Sequence, residues 1–259
     1  MNRIQKCFER TRAAGRPAFI AYLTMGYPTL AASEEAADTL LANGADIIEL
    51  GVPVSDPVAD GAVIRTAAYA ALEQGVTLAD ILALAGRLRA KHPDAPLVVF
   101  SYYNVIYSYG LEKFAADAEA AGVDAVLSVD LPLEERDELL DVLRPHGLTF
   151  VPLIAPTTSI ERTIEAAKDL EDSFLYVITV KGTTGARTEL PPELKERLAA
   201  IRAAVKTPIA AGFGISTKEQ VKMIGEVADG FIVGSALVKM LAKDGKIHVD
   251  EVRHLLPAS

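Results

Sequence analysis

Two carboxylates lie eleven residues apart on one short stretch, Ile47 to Gly61, and their settings differ. Glu49 sits in the apolar run Ile47-Ile48-Glu49-Leu50, which reads as a buried strand. Side chains alternate along a strand, so Ile47 and Glu49 face one way and Ile48 and Leu50 the other. A charged carboxylate in such a place is costly unless paired, and unpaired it holds its proton to higher pH. Asp60 ends the polar turn that follows, where the chain can return to the strand tip. Two carboxylates, one in a greasy and one in a polar setting, can serve as a matched acid and base. Each has a plainer reading. Glu49 could reach water or a backbone amide at the strand end, and Asp60 could cap a helix beginning near Ala62.

The elements that must position them follow a regular alternation. Strands are expected at 17–24, 47–50, 97–100, 125–129, 149–154, 174–179, 208–211 and 230–233. Helical patterns fall between them: from Thr29 or Ser33 to Ala42, then 62–73, 78–90, 111–121, 133–144, 159–170, 192–205 and 218–227. The strands are near-continuous aliphatic runs, as in parallel sheets covered on both faces. Eight such units without a linker predict an α/β chain, a (β/α)8 TIM barrel forming a single domain over residues 1–259. A doubly wound sheet would want Gly-x-Gly-x-x-Gly after its first strand, and Met25-Gly26-Tyr27-Pro28 does not supply it.

In such a barrel the working face is the carboxyl end of the strands. Glu49, Asp60, Tyr102, Asn104, Asp130, 157–159 and 181–187 gather there, and the opposite ends carry fewer unusual residues. Phosphate is expected on the loops after strands seven and eight. These read Gly212-Phe213-Gly214-Ile215-Ser216 and Gly234-Ser235-Ala236, with a helix opening at Ser235 that presents free amides. Gly185 can add another amide. Glycines that merely permit tight turns are the plainer reading. The polar, glycine-bearing 180–189 segment suits a lid that closes over substrate.

The net charge of −9 argues against nucleic acid. The one cysteine, Cys7, precludes an internal disulfide and fits a reducing cytoplasm. No secretory leader or membrane span is expected. His92 and His146 fall before strands, and His248 and His254 near the C-terminus, away from the working face.

The stretch Glu49-Leu50-Gly51-Val52-Pro53-Val54-Ser55-Asp56-Pro57-Val58-Ala59-Asp60-Gly61 resembles the signature of the tryptophan synthase alpha chain family. The likeness extends over essentially the whole chain, through Pro28-Thr29, Asn104, Asp130-Leu131-Pro132, Gly182-Thr183-Thr184-Gly185, Gly212-Phe213-Gly214-Ile215-Ser216 and Gly234-Ser235-Ala236. It implies a lyase of L-tryptophan biosynthesis that cleaves indole-3-glycerol phosphate to indole and glyceraldehyde 3-phosphate. No metal or cofactor is implied. The implied partner is a pyridoxal-phosphate-bearing beta chain, in an α2β2 heterotetramer.

By the same resemblance Glu49 is the general acid–base, and Asp60 holds the indole N–H. Tyr176 stands beside the glutamate, and Thr184 orders Asp60. Tyr22, Phe100, Leu127, Leu153 and Phe213 wall the indole, and Gly185, Gly214, Gly234 and Ser235 hold the phosphate. The chain departs from the pattern at Val54, where an aromatic is usual, at Tyr27, where an aspartate is common, and at 180–183. These departures bear on loop closure and on activation by the partner. Two other readings are weighed. A phosphosugar isomerase or epimerase would need a histidine or metal-ligand set at the strand tips. A non-catalytic regulatory subunit would have no need of both Glu49 and Asp60.

Overall fold

A computed structural model of the chain describes residues 1–179, 192–212, 217–253 and 255. The expected aliphatic runs form strands β1 (Ala18–Thr24), β2 (Ile47–Gly51), β3 (Leu97–Ser101), β4 (Ala125–Ser128), β5 (Thr149–Phe150), β6 (Leu153–Ile154), β7 (Leu175–Ile178), β8 (Ile209–Gly212) and β9 (Gly230–Val233). All pair in parallel, in the order β5-β4-β3-β2-β1-β9-β8-β7-β6. The segments β5 and β6 are two halves of the expected fifth strand, broken at Val151-Pro152. The first half pairs with β4 and the second with β7, so the curled sheet is an eight-strand (β/α)8 barrel with its fifth strand split. Proline has no N–H to give a ladder, which accounts for the break. The Val151 N–H still reaches Val126 O at 2.8 Å, and Pro152 O accepts from the Tyr176 N–H at 2.9 Å.

Alternation sorts the strand residues into two cores. Ile20, Ile47, Val98, Leu127, Phe174 and Ile232 point into the barrel. Phe19, Leu23, Ile48, Leu50, Val99 and Val177 point out against the helices. Burying each large aliphatic side chain contributes about 1.5–3 kcal/mol. Glu49 therefore faces the interior with Ile47, as the alternation requires.

The helices lie close to expectation, with Ala62–Glu73 and Lys218–Val227 as anticipated. Thr29, rather than Ser33, caps the helix Leu30–Ala42, accepting the Ala32 N–H. The segment expected as one helix at 133–144 is instead a 3-10 turn, a helix at Arg136–Leu143 and a second 3-10 turn containing Pro145. Three helices were not anticipated: Arg3–Ala13, Tyr103–Tyr109 and Val249–Val252.

The helix Arg3–Ala13 closes the amino end of the barrel. Its Ile4, Cys7 and Phe8 join the interior core, and arginines from it and from neighbouring segments meet aspartates at the strand starts. Arg10 and Arg16 bond Asp46, Arg3 and Arg89 bond Asp124, and Arg12 reaches Asp229. Each aspartate also accepts a backbone N–H from a neighbouring strand: Phe19, Leu97 and Ile209 respectively. This end is thus richer in polar residues than the sequence suggested, and they serve the fold. Among the described residues no single helix is long and apolar enough to cross a membrane.

Candidate active site

Glu49 is fully buried, and neither carboxylate oxygen has a hydrogen-bond partner among the described residues. Native interiors seldom leave a carboxyl in that condition. Removal from water pushes its pKa up to about 8, so at neutral pH the group is largely the uncharged acid. The plainer reading, a carboxylate reaching water or a backbone amide, is not realised.

Register places aromatic rings around it. Tyr22 of β1 is the direct neighbour of Glu49 across the ladder. The Phe100 ring stands edge-on to Tyr22 at 5.0 Å and to Tyr176 at 6.3 Å, both between centroids. Leu127 is the ladder neighbour of Phe100, and Leu153 that of Tyr176. The four expected wall residues Tyr22, Phe100, Leu127 and Leu153, together with Tyr176, thus converge on one interior face. Burial raises the phenols of Tyr22 and Tyr176, and at the high pH where they titrate the ionised Glu49 and Asp60 raise both further. Both acids therefore act on the same pair of rings.

Glycines make room for those rings. A Cβ on Gly51 would lie 2.6 Å from Tyr22 Cζ, and one on Gly212 would lie 2.6 Å from Tyr176 Cε1. Gly234 backs the other side of Tyr22, where a Cβ would come within 3.1 Å of Cδ1. Gly234 precedes the helix Ser235–Asp244. Its first-turn amides open on the same end of the barrel, at the end of β9.

Asp60 does not cap the following helix. The cap position of Ala62–Glu73 is Gly61, with no side-chain bond. The Asp60 carboxylate instead accepts the Tyr102 hydroxyl at 3.1 Å. Its pKa is raised by burial, against the opposing effects of the Tyr102 bond and the Arg65 charge. The Tyr102 contact was not anticipated. The only signal for it was a tyrosine directly after a strand on the working face. Thr184, Gly185, Phe213 and Gly214 lie outside the described residues, as does the 180–189 segment.

Three histidines lie away from this site and pair with surface acids: His92 with Asp38, His146 with Glu119 and His248 with Asp244. His254 lies outside the described residues. Among the described residues no cluster of histidine, cysteine or acidic side chains suits a metal ion. A cavity of about 410 Å³ opens at the opposite end, lined by Arg10, Arg16, Asp46 and His92 among others. There Arg10 and Arg16 are paired with Asp46, and Lys91 and His92 with Asp38.

The fold and the site define a class: a (β/α)8-barrel enzyme suited to proton transfer on a flat, apolar substrate. Comparison with known proteins narrows it. The tryptophan synthase alpha chain family model matches residues 8–257. The tryptophan synthase alpha chain of Synechocystis is 46% identical over 246 residues, covering 94% of this chain and 92% of that one. Tryptophan synthase subunit alpha of Legionella pneumophila superposes with a TM-score of 0.87 at 34% identity, covering 99% of this chain and 95% of that one. A Mycobacterium tuberculosis tryptophan synthase structure gives 0.86 at 36% identity, covering 98% and 95%. The chain belongs to the tryptophan synthase alpha chain family. It is a carbon–carbon lyase of tryptophan biosynthesis that cleaves indole-3-glycerol phosphate to indole and glyceraldehyde 3-phosphate.

Proposed function

We propose that Glu49 carries both proton transfers of this cleavage and that Asp60 steadies the charge between them. The un-ionised Glu49 gives its proton to indole C3, which leaves positive charge on the ring nitrogen. Asp60 accepts the ring N–H and is more useful to that cationic ring than to the neutral substrate. Glu49, now a carboxylate, takes the proton from the hydroxyl on the adjoining side-chain carbon. The freed electron pair forms the aldehyde C=O, and the bond from that carbon to C3 breaks. Its electrons restore the C2–C3 double bond and neutralise the nitrogen. Glu49 ends protonated, ready for another turnover.

The observation that carries this reading is the buried Glu49 carboxyl, without a hydrogen-bond partner among the described residues and set among rings that suit an indole. Tyr22, Phe100, Leu127, Leu153 and Phe213 form the slot, and Tyr176 stands beside Glu49. Gly185, Gly214, Gly234 and Ser235 take the phosphate through backbone amides, and Thr184 meets Asp60 when substrate is bound. The whole chain, 1–259, works as one barrel in the cytoplasm. It pairs with a tryptophan synthase beta chain in an α2β2 assembly.

The test is to supply the purified chain with indole-3-glycerol phosphate alone. Indole and glyceraldehyde 3-phosphate should appear in equal amounts without added metal or cofactor, and faster with a beta chain present. A chain that binds a substrate analogue yet releases no indole under either condition contradicts the proposal.

A further inference from the structure

Asp60 lies at the end of a turn whose tip, Val58-Ala59, is exposed. Its backbone is held by the Val58 N–H on Asp56 O at 2.9 Å and the Asp60 N–H on Pro57 O at 3.0 Å. One side chain reaches this turn twice. The Tyr102 hydroxyl accepts the Ala59 N–H at 3.0 Å and donates its own proton to Asp60 Oδ2 at 3.1 Å. A hydroxyl that accepts one bond and donates another has a fixed proton direction. No other side-chain bond to the Asp60 carboxylate is seen among the described residues.

Tyr102 is itself held firmly. It is 5 % exposed and follows β3 directly. The next residue donates its N–H to Asp130 Oδ1 at 2.7 Å, and Asp130 also receives the Ser128 hydroxyl at 3.1 Å. A chain of bonds therefore runs from the end of β4 through Asp130 to the backbone beside Tyr102, and from the phenol to Asp60. This is how a catalytic group on a loop acquires the rigidity of the sheet.

We propose that Tyr102 is a positioning residue for Asp60: its bridging hydroxyl, held by the Ala59 N–H, fixes the direction of the carboxylate. The inference rests on the role given to Asp60 above. The groups that act electrostatically with Asp60 are Tyr102 after β3, Arg65 of the helix Ala62–Glu73, Tyr22 of β1 and Tyr176 of β7. Glu49 of β2 acts on the same two tyrosines. Burial favours the un-ionised Asp60, whereas the Tyr102 donor and the Arg65 charge favour the ionised one. Losing the donor moves the Asp60 pKa upward.

The experiment compares Tyr102→Phe with the wild-type chain and with Asp60→Asn, using indole-3-glycerol phosphate across pH. Tyr102→Phe should lower kcat by about 10- to 100-fold, the scale of a misplaced catalytic group. KM should change little, and the acid limb of kcat/KM should move to higher pH. If the tyrosine serves only the fold, KM and thermal stability will change while the acid limb stays in place, and the proposal is overturned. Unchanged kcat and acid limb in Tyr102→Phe, with Asp60→Asn impaired, overturn the positioning role and leave Asp60's role standing. Near-normal turnover in Asp60→Asn instead removes the role of Asp60 itself.

Discussion

Glu49 has a consequence for stability as well as for catalysis. Its folded-state pKa, about 8, lies above that of an exposed glutamate. The folded chain therefore binds a proton that the unfolded chain releases first. Below the ordinary glutamate range both states are protonated and the site adds no pH-dependent cost. As pH rises toward 8 the folded state loses ground. Glu49→Gln removes that dependence. The variant should be more thermostable than the wild-type chain, with the gap widening from pH 5 to pH 8 and reaching a few kcal/mol. Melting curves across that range check it, and a constant gap contradicts a buried, un-ionised Glu49. The glycine beside Tyr176 gives a second residue-level prediction. Gly212→Ala places a methyl 2.6 Å from Tyr176 Cε1, so the ring must move. Indole release should fall about 10-fold or more, with the far-ultraviolet circular dichroism spectrum unchanged.

At the scale of elements, the two ends of the barrel divide the work. The amino end is a structural clamp, in which Asp124 accepts the Leu97 N–H and is paired with Arg3 and Arg89. Asp124→Ala leaves the Leu97 N–H unpaired and takes the carboxylate from Arg89, which keeps its bonds to the Gly122, His92 and Pro93 carbonyls, so urea unfolding should show a loss of about 2–4 kcal/mol. Turnover per folded molecule should stay near normal, because the clamp lies across the barrel from Glu49. At the carboxyl end, the helix Ser235–Asp244 is the proposed phosphate anchor. Gly234→Val should weaken glycerol phosphate binding, a probe that has no ring to meet Tyr22. Unchanged affinity, measured by calorimetry, would place the anion elsewhere. A substituted Gly234 also crowds the Tyr22 ring, so binding of indole analogues should suffer as well.

Much of the whole molecule was legible in the sequence. Strand periodicity and alternation gave the barrel and turned Glu49 inward beside Ile47. Strand ends gave the face on which Asp60, Gly234 and Ser235 lie. The rest depended on contacts between residues far apart in the chain, which no local pattern reports. Nothing around Tyr102 announces a bond to Asp60, 42 residues away. The aspartates at the strand starts, Asp46, Asp124 and Asp229, read as ordinary loop acids until arginines from another helix meet them. The helix Arg3–Ala13 has few apolar residues, and its role is clear only when Ile4, Cys7 and Phe8 fill the barrel's end. The expected 133–144 helix opens instead as a 3-10 turn at Leu133–Glu135, and Pro145 lies just past its end in a second 3-10 turn, Arg144–His146.

The central claim is that Glu49 moves the protons. Glu49→Gln keeps the shape of the side chain but has no transferable carboxyl proton. Indole release from indole-3-glycerol phosphate is therefore the measurement, made on this variant and on the wild-type chain at one pH and with equal folded protein. The account predicts a fall of at least about 100-fold, as for a lost general acid–base, with affinity for a substrate analogue retained. Indole release within a few-fold of the wild-type rate would contradict it.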